Sequence, residues 1–481
     1  METVVVIGAG ISGLSCAFRL KQLGINPLVL EAGERPGGLI ASVHRNGFLF
    51  ESGPQCPRFP AAMWQLVREL KLEDEFVSGP LRPKRFILHH GRLHAAPFSP
   101  AALVTTGLVG IGAKLRIFAD AFGSSQPPAV EETLAQFVER KFGLEILSNL
   151  VDPLVSTIFF GDPYKMGMES ALPSIVEWER NHGSVSRGAI LARNGRRNGA
   201  QSRSVTDAGA ARGSFHVTDA LPSLGSFRSG MGKLPDTLAA ELGGCVRYRS
   251  QITCITASQS EEKPQGSWAI RSANGARIET EQLVLAIPAY AAAELVRGVH
   301  PRLAAHLDGI EYAEASAGGL AYNRSQVSHS LDGFGFMVPR REGLNTICTF
   351  WNSSLFPQRA PAGKVVITSF VRNSEGVHSE DGGRMLLRRI EAENAKVLGI
   401  VGVPVDRMFW ADPRALPQYV VGHAGRVAAI YHELGSMPNL HVIGNFLKGR
   451  SVGECIEIAE RTARNVHGCL QRNRGATPRC T

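Results

Sequence analysis

Within the 481-residue chain, the stretch VVVIGAGISGLSCAFRL (residues 4–20) leaves the least freedom of fold. Residues 3–7 form a β-branched apolar run without polar alternation, as suits a strand buried on both faces of a parallel sheet. Leu14, Ala17, Phe18 and Leu20 then recur at helical spacing. Between strand and helix stand Gly8, Gly10 and Gly13, a G-x-G-x-x-G turn. A second strand within NPLVLEAGERPGG ends at Glu31 and closes a βαβ unit of about 30 residues. Each part has a physical task. Gly8 permits the tight turn, Gly10 lets backbone approach a pyrophosphate, and Gly13 lets helix and strand pack closely. The helix N-terminus offers unpaired N–H groups and about half a positive charge to phosphates. Glu31 can accept from a ribose hydroxyl and disfavours a 2′-phosphate. The unit predicts a Rossmann-like dinucleotide-binding domain, but the glycines alone do not say which dinucleotide.

Composition removes several classes. Apolar residues make up 44% and charged residues 20%, as in a globular protein. The net charge of +9 admits nucleic acid, an acidic membrane surface or an anionic substrate. Part of the excess lies between Arg187 and Arg212, where six arginines face one acid, Asp207. No aromatic residues are interleaved with them, so no nucleic-acid partner is expected, and 191–225 reads as a flexible basic loop. The eight cysteines are scattered without a C-x-x-C pair, which argues against a zinc or redox-disulfide site and suits a reducing cytosol. The chain starts directly on a strand pattern and has no apolar run of 18 residues, so neither a signal peptide nor a membrane-spanning helix is expected. A cytoplasmic location, with peripheral contact on the cytoplasmic face of a membrane left open, follows. In HHGRLH, His89, His90 and His94 flank a hairpin turn read at Gly91-Arg92; their side chains should diverge, so no metal site is expected.

Further along, 98–190 lacks strand patterns and reads as a helical insertion, with TLAQFVERKFGLEILSNLVDPL its clearest amphipathic run. Its first part, AALVTTGLVGIGAKLRIFADAF, is apolar and basic with Asp120 as sole acid; it suits either a membrane-docking surface or a buried helix beside a substrate. Short strands follow in QITCITA, QLVLAIP and NLHVIGN, and GECIEIAERTARNV is a closing helix. The expected architecture is α/β. A Rossmann-like domain comprises 1–80, 226–300 and 411–471, and a mixed-sheet substrate domain comprises 81–97 and 301–410. The helical insertion and a tail at 472–481 complete it.

After Glu31 come Ala32, Arg35, Gly37, Gly38 and Leu39, and then Gly47, Glu51, Gly53, Pro54, Gln55 and Cys56. This E-A-x-x-R-x-G-G and G-x-x-x-E-x-G-P succession resembles the opening of the flavin amine oxidase, phytoene desaturase and protoporphyrinogen oxidase superfamily, which implies FAD rather than NAD. HVIGNFLKGRSVGECIEIAERTA resembles its closing segment, where a helix N-terminus would stabilise negative charge on the reduced flavin. The resemblance implies cofactor contacts from Gly8, Ala9, Gly10, Ile11, Ser12, Gly13, Glu31, Ala32, Arg35, Gly38, Leu39, Gly53, Pro54, Gln55, Cys56, Ile252, Trp410, Gly444, Asn445, Arg450, Ser451 and Val452. No cysteine lies between Cys348 and Cys455, so the FAD is expected to be non-covalent. The G-x-S-x-G match at 449–453 lacks a strand running directly into its turn and a histidine beyond its own helix, which argues against a hydrolase.

The middle of the chain narrows the resemblance. SFRSGMGKLPDTLAAEL, LDGFGFMVPRREGLNTICTFWNSSLFPQRAP and WADPRALPQYVVGH are similar to segments of protoporphyrinogen oxidases. That implies six-electron oxidation of a porphyrinogen, protoporphyrinogen IX foremost and coproporphyrinogen III as alternative. Three molecules of oxygen become hydrogen peroxide, with no protein acid or base required. Amine oxidation, carotenoid desaturation and a non-catalytic flavin scaffold are more distant alternatives, and a homodimer stays open. By the same resemblance Arg85 pairs with a substrate propionate, while Leu331, Ile347 and Ile367 flank the macrocycle. Thr157 and Phe160 in TIFFGDP, and VRNSEG in place of a double glycine, depart from the family pattern near the expected pocket.

Overall fold

The computed structural model describes residues 2–81, 83–198, 224–258, 266–372, 379–448 and 451–475. Two sheets organise it. The first joins seven described strands. Its parallel part places Glu2–Ile7 between Leu28–Leu30 and Arg277–Leu285, with Val246–Arg247 outside Leu28–Leu30 and Leu440–Val442 beside the end of Arg277–Leu285. Trp268–Ser272 and Ile252–Ala257 extend it antiparallel. Val4, Val5 and Val6 are fully buried, because helices cover both faces. The helices Ile11–Gln22 and Val452–Gly475 pack on one face, where Leu14, Ala17 and Leu20 meet Ile456, Ala459 and Ala463.

The second sheet runs Asp406–Pro417, Tyr312–Asn323, Lys364–Val371, Thr346–Phe350, Gly335–Met337, Arg85–His89, Arg92–Ala95. It is antiparallel except that Gly335–Met337 lies parallel to Arg85–His89. One face packs under the helix Glu380–Leu398 through Leu386, Leu387 and Ile390. The other looks toward the helical insertion, which contributes Leu108, Leu150, Leu154 and Phe160.

Three expectations need correction, and one amphipathic run is divided. Asp406–Pro417 is one continuous strand paired to Tyr312–Asn323, so residues 411–417 belong to the second sheet, and the boundary falls after Pro417. The helix Val185–Asn198 extends into the stretch expected to be a loop; VSRGAILARNGRRN contains no proline and enough helix formers to continue, and the rest of that stretch, to 223, is outside the described residues. The amphipathic run from 133 is not one helix: Gly143, at φ 89°, ends Leu134–Phe142, and a π-helical turn Leu147–Val151 precedes Asp152–Phe159. The histidine hairpin turns at His90-Gly91, both at positive φ, and its rings gather: His89 lies 4.2 Å from His90 and 5.6 Å from His94. Cross-strand neighbours share a sheet face, which the sequence reading overlooked. Even so, the described residues contain no metal-competent group of three ligands.

In the insertion, the helix Ile111–Phe122 buries only Ala113 and Asp120. Ile111, Leu115, Phe118 and Phe122, spaced along one face, are all more than half exposed. The helix Ile111–Phe122 is thus mostly exposed, while Leu108, just before it in the same stretch, is buried against the second sheet. No described helix is long and apolar enough to cross a membrane.

Candidate active site

The glycine turn is built as its spacing requires. A Cβ on Gly13 would lie 2.0 Å from the Gly8 carbonyl oxygen, and one on Gly8, at φ 103°, 2.5 Å from the Ala286 oxygen. Both glycines are therefore fixed by packing. A Cβ on Gly10 meets nothing within 4 Å, so no protein neighbour demands a glycine there. No side chain caps the helix Ile11–Gln22, and its first turn carries no acid. Its N-terminal N–H groups are thus uncommitted donors. Gly37 pairs with Gly10 as an isolated bridge, and a Cβ on Gly38 would come within 3.6 Å of the Gly10 Cα. This cradle, lined by backbone, fits a pyrophosphate.

Glu31 accepts from the Ala9 N–H and the Gly33 N–H, each at 2.7 Å. Its carboxylate first holds the turn together, and its remaining lone pairs can serve a ribose. Arg35 donates to the carbonyls of Gly38 (2.7 Å), Pro36 (3.0 Å) and Ile40 (3.1 Å). It staples its own loop rather than pointing free toward phosphate. Ala32 and Leu39 lie exposed beside it, and Ile252 sits on the outer strand, packed against the core. Tyr248 and Asp236 were not singled out from sequence. Burial chiefly, and the nearby charges of Asp236 and Glu31, push the Tyr248 hydroxyl up, which places it beside the Glu31 loop.

The segment from Glu51 to Cys56 is anchored from below. Glu51 accepts from Arg359 (2.7 Å), from the Met231 N–H (2.9 Å) and from Ser42 Oγ (2.5 Å). Glu51 and Arg359 are both 1% exposed. Burial pushes the Glu51 carboxyl up, against the pull of the guanidinium. Gln55 donates to the carbonyls of Glu51 and Gly53 and accepts from Asn352 Nδ2 at 2.6 Å, tying this loop to the second domain. A Cβ on Gly53 would meet the Leu39 oxygen at 2.4 Å, and Pro54 follows half-buried. Burial pushes the Cys56 thiol up to about 12, although Arg85 and Arg359 pull the other way.

Ser451 and Glu454 form a reciprocal cap on the closing helix. Val452 is buried, and Cys455 hydrogen-bonds Ser12, so the N-terminal turns of the two helices meet. Gly444 and Asn445 lead into this turn; Arg450 lies outside the described residues. Trp410, against the wall described next, has a buried indole N–H without a hydrogen-bond partner. An orphaned donor and a backbone cradle both fit a bound dinucleotide with a polar ring system.

Ile347 packs with Ile87, Leu108, Ala317, Met337, Cys348 and Phe370 on the face toward the insertion. Leu331 and Ile367 do not join it. They lie in the separate cluster under Glu380–Leu398, on the opposite face of the sheet. Side chains alternate along a strand, so Ile367 and Phe370, three residues apart, must face opposite ways. The partners of Ile347 are Met337 and Phe370, which the sequence reading, resting on family resemblance for these positions, did not name. An aromatic chain continues the wall: Phe334 to Phe350 (5.3 Å), Phe350 to Phe370 (5.9 Å) and Phe370 to Phe160 (5.0 Å). Phe160 caps its helix at φ 52°, rare for a bulky residue. Thr157 Oγ1 donates to the Pro153 carbonyl at 2.8 Å.

Arg85 closes one end of this wall. Its guanidinium lies 4.6 Å from the Phe334 ring centroid and 5.4 Å from that of Phe98. Among the described residues no carboxylate pairs with it. Burial, and then the nearby charge of Arg58, press its pKa downward. A partly desolvated cation beside two rings, with the charge of Arg58 nearby, is chemically suited to an anionic ligand.

A backbone phosphate cradle at the first sheet and an apolar wall between the second sheet and the helical insertion define a flavoprotein fold. The family model described as flavin containing amine oxidoreductase matches residues 11–467, and the chain belongs to that family as an FAD-dependent oxidoreductase. It is 30% identical over 492 residues to the chloroplastic protoporphyrinogen oxidase of Nicotiana tabacum, covering 97% of this chain and 86% of that one. It is 25% identical over 473 residues to the coproporphyrinogen III oxidase of Bacillus subtilis, covering 94% and 95%. The fold is shared with a crystallised protein from Exiguobacterium sp. 255-15, at a TM-score of 0.78 and 21% identity over 97% of this chain and 98% of that one.

Proposed function

We propose that the protein oxidises protoporphyrinogen IX to protoporphyrin IX, removing six electrons in three rounds, with molecular oxygen as acceptor and hydrogen peroxide as by-product. The observation that carries this reading is Arg85. A half-buried guanidinium without an acidic partner among the described residues, at the end of an apolar wall, matches an apolar macrocycle that carries carboxylates at its edge. Non-covalent FAD supplies the hydride acceptor when bound. The chain's own part is to bind and orient. Arg85 takes a propionate, Ile347, Met337 and Phe370 press on the ring face, and Phe160 limits its far end. Close apolar walls exclude water and hold the reacting carbon in place. Of these wall residues only Cys348 can titrate, and burial pushes its thiol up to about 12. The ring N–H proton therefore leaves without a protein base in the wall.

The exposed face of Ile111–Phe122 favours peripheral contact with an acidic membrane surface, where a poorly soluble product would be released. Replacing Phe118 and Phe122 by serine should reduce sedimentation with anionic vesicles and leave turnover in detergent unchanged.

The deciding experiment is to purify the protein, release its yellow cofactor with acid, and follow porphyrin fluorescence with protoporphyrinogen IX and coproporphyrinogen III offered separately. Preferred turnover of coproporphyrinogen III would replace the substrate named here, and absence of flavin would refute the reading.

A further inference from the structure

After Pro417 the chain leaves the second sheet and threads between the helical insertion and the segment at 444–447. On the insertion side, Gln418 Nε2 donates to the Phe159 carbonyl at 3.1 Å, and the Gly167 N–H donates to the Tyr419 carbonyl at 2.8 Å. The Gly422 N–H donates to Glu131 Oε2 at 2.7 Å. On the other side, Tyr419 Oη donates to the Asn445 carbonyl, and His423 hydrogen-bonds the Phe446 backbone. The Tyr419 and His423 rings stack at 4.3 Å and 13°, and both are almost fully buried.

A stacked aromatic pair needs no polar atoms to fill this space; two leucines or phenylalanines would pack as well. Both polar atoms are instead committed to consecutive residues of one short backbone stretch. That stretch carries no regular secondary structure to hold it, and it precedes the turn where the closing helix begins. His423 Nε2 is buried without a partner, and desolvation holds the imidazole neutral, its pKa down at about 4. The ring thus offers a hydrogen bond and no charge.

We infer that Tyr419 and His423 are positioning residues: they fix the Asn445–Phe446 backbone, and with it the segment read as holding the flavin, in register with the Phe159–Gly161 edge of the apolar wall. The inference rests on the reading of 444–453 as a flavin segment. A loosened segment would let the flavin shift relative to the macrocycle, and a displacement of about 1 Å can cost up to about 100-fold in rate.

The test compares wild-type holoenzyme with Tyr419→Phe and His423→Phe, which keep the stack and delete one bond each, and His423→Gln, which keeps a donor. The expected result is retained FAD, a displaced visible flavin absorption envelope, kcat lower by about 10-fold with KM within about twofold, and partial recovery in His423→Gln. FAD should rebind to the Tyr419→Phe apoprotein about 5-fold more weakly, as loss of one backbone contact implies. Wild-type absorption, affinity and kcat in both phenylalanine variants would overturn the inference, as would failure of both to fold, which would mark a purely structural pair. Wild-type protein without flavin would instead refute the cofactor reading itself.

Discussion

Replacing Arg85 by alanine isolates the substrate reading from the cofactor reading. Among the described residues the guanidinium touches two rings and no acid, so its removal orphans no partner there. It also relieves the desolvation and the Arg58 repulsion that now weigh on the charge. Stability should hold or rise slightly. What is lost is a charge-assisted bond to a substrate carboxylate, worth about 1.5–3 kcal/mol. Partial exposure of the site puts the value toward the lower end. KM for protoporphyrinogen should therefore rise about 10- to 30-fold, with flavin content unchanged and melting temperature unchanged or slightly raised. Arg85→Lys keeps the charge but loses the planar fork and part of the stacking, and should fall between the two. Initial-rate fluorimetry over a range of substrate concentration separates the outcomes. An unchanged KM in Arg85→Ala would refute the propionate role, and loss of flavin would move Arg85 into the cofactor site.

Gly10→Ala should leave the melting temperature unchanged and weaken FAD binding, whereas Gly13→Ala should abolish folding, since its Cβ would overlap the Gly8 carbonyl; thermal melts with and without added FAD tell them apart. Ile367→Ala should cost about 2–4 kcal/mol in denaturant unfolding while turnover per folded molecule is kept, and Phe370→Ala should lower turnover instead. Burial depresses His423 and His441 to about 4, below the ordinary histidine value. The unfolded chain then binds more protons than the native one between about pH 6.5 and 4. The stability these two contribute is complete above about 6.5 and is lost as pH falls toward 4. His441→Gln should flatten the fall of melting temperature with pH across that window.

Gly8 is pinned from far along the chain by Ala286, but the strand–turn–helix unit and the closing helix were determined by local sequence, because helical periodicity and the steric rule of Gly13 against Gly8 act between residues close along the chain. The same holds for the hairpin that carries Arg85. Which apolar residues share one face of the second sheet was decided only in three dimensions. Leu331, Ile347 and Ile367 look equivalent as apolar residues near strand patterns, but the pleat and the packing of Glu380–Leu398 send two of them away and bring in Met337 and Phe370. Arg359 beneath Glu51 lies 308 positions away along the chain, and the Tyr419–His423 pair reaches Asn445 and Phe446 across a helix and a strand. Such contacts carry no signature in spacing. They exist because burying a polar group forces it to find a partner wherever the fold supplies one.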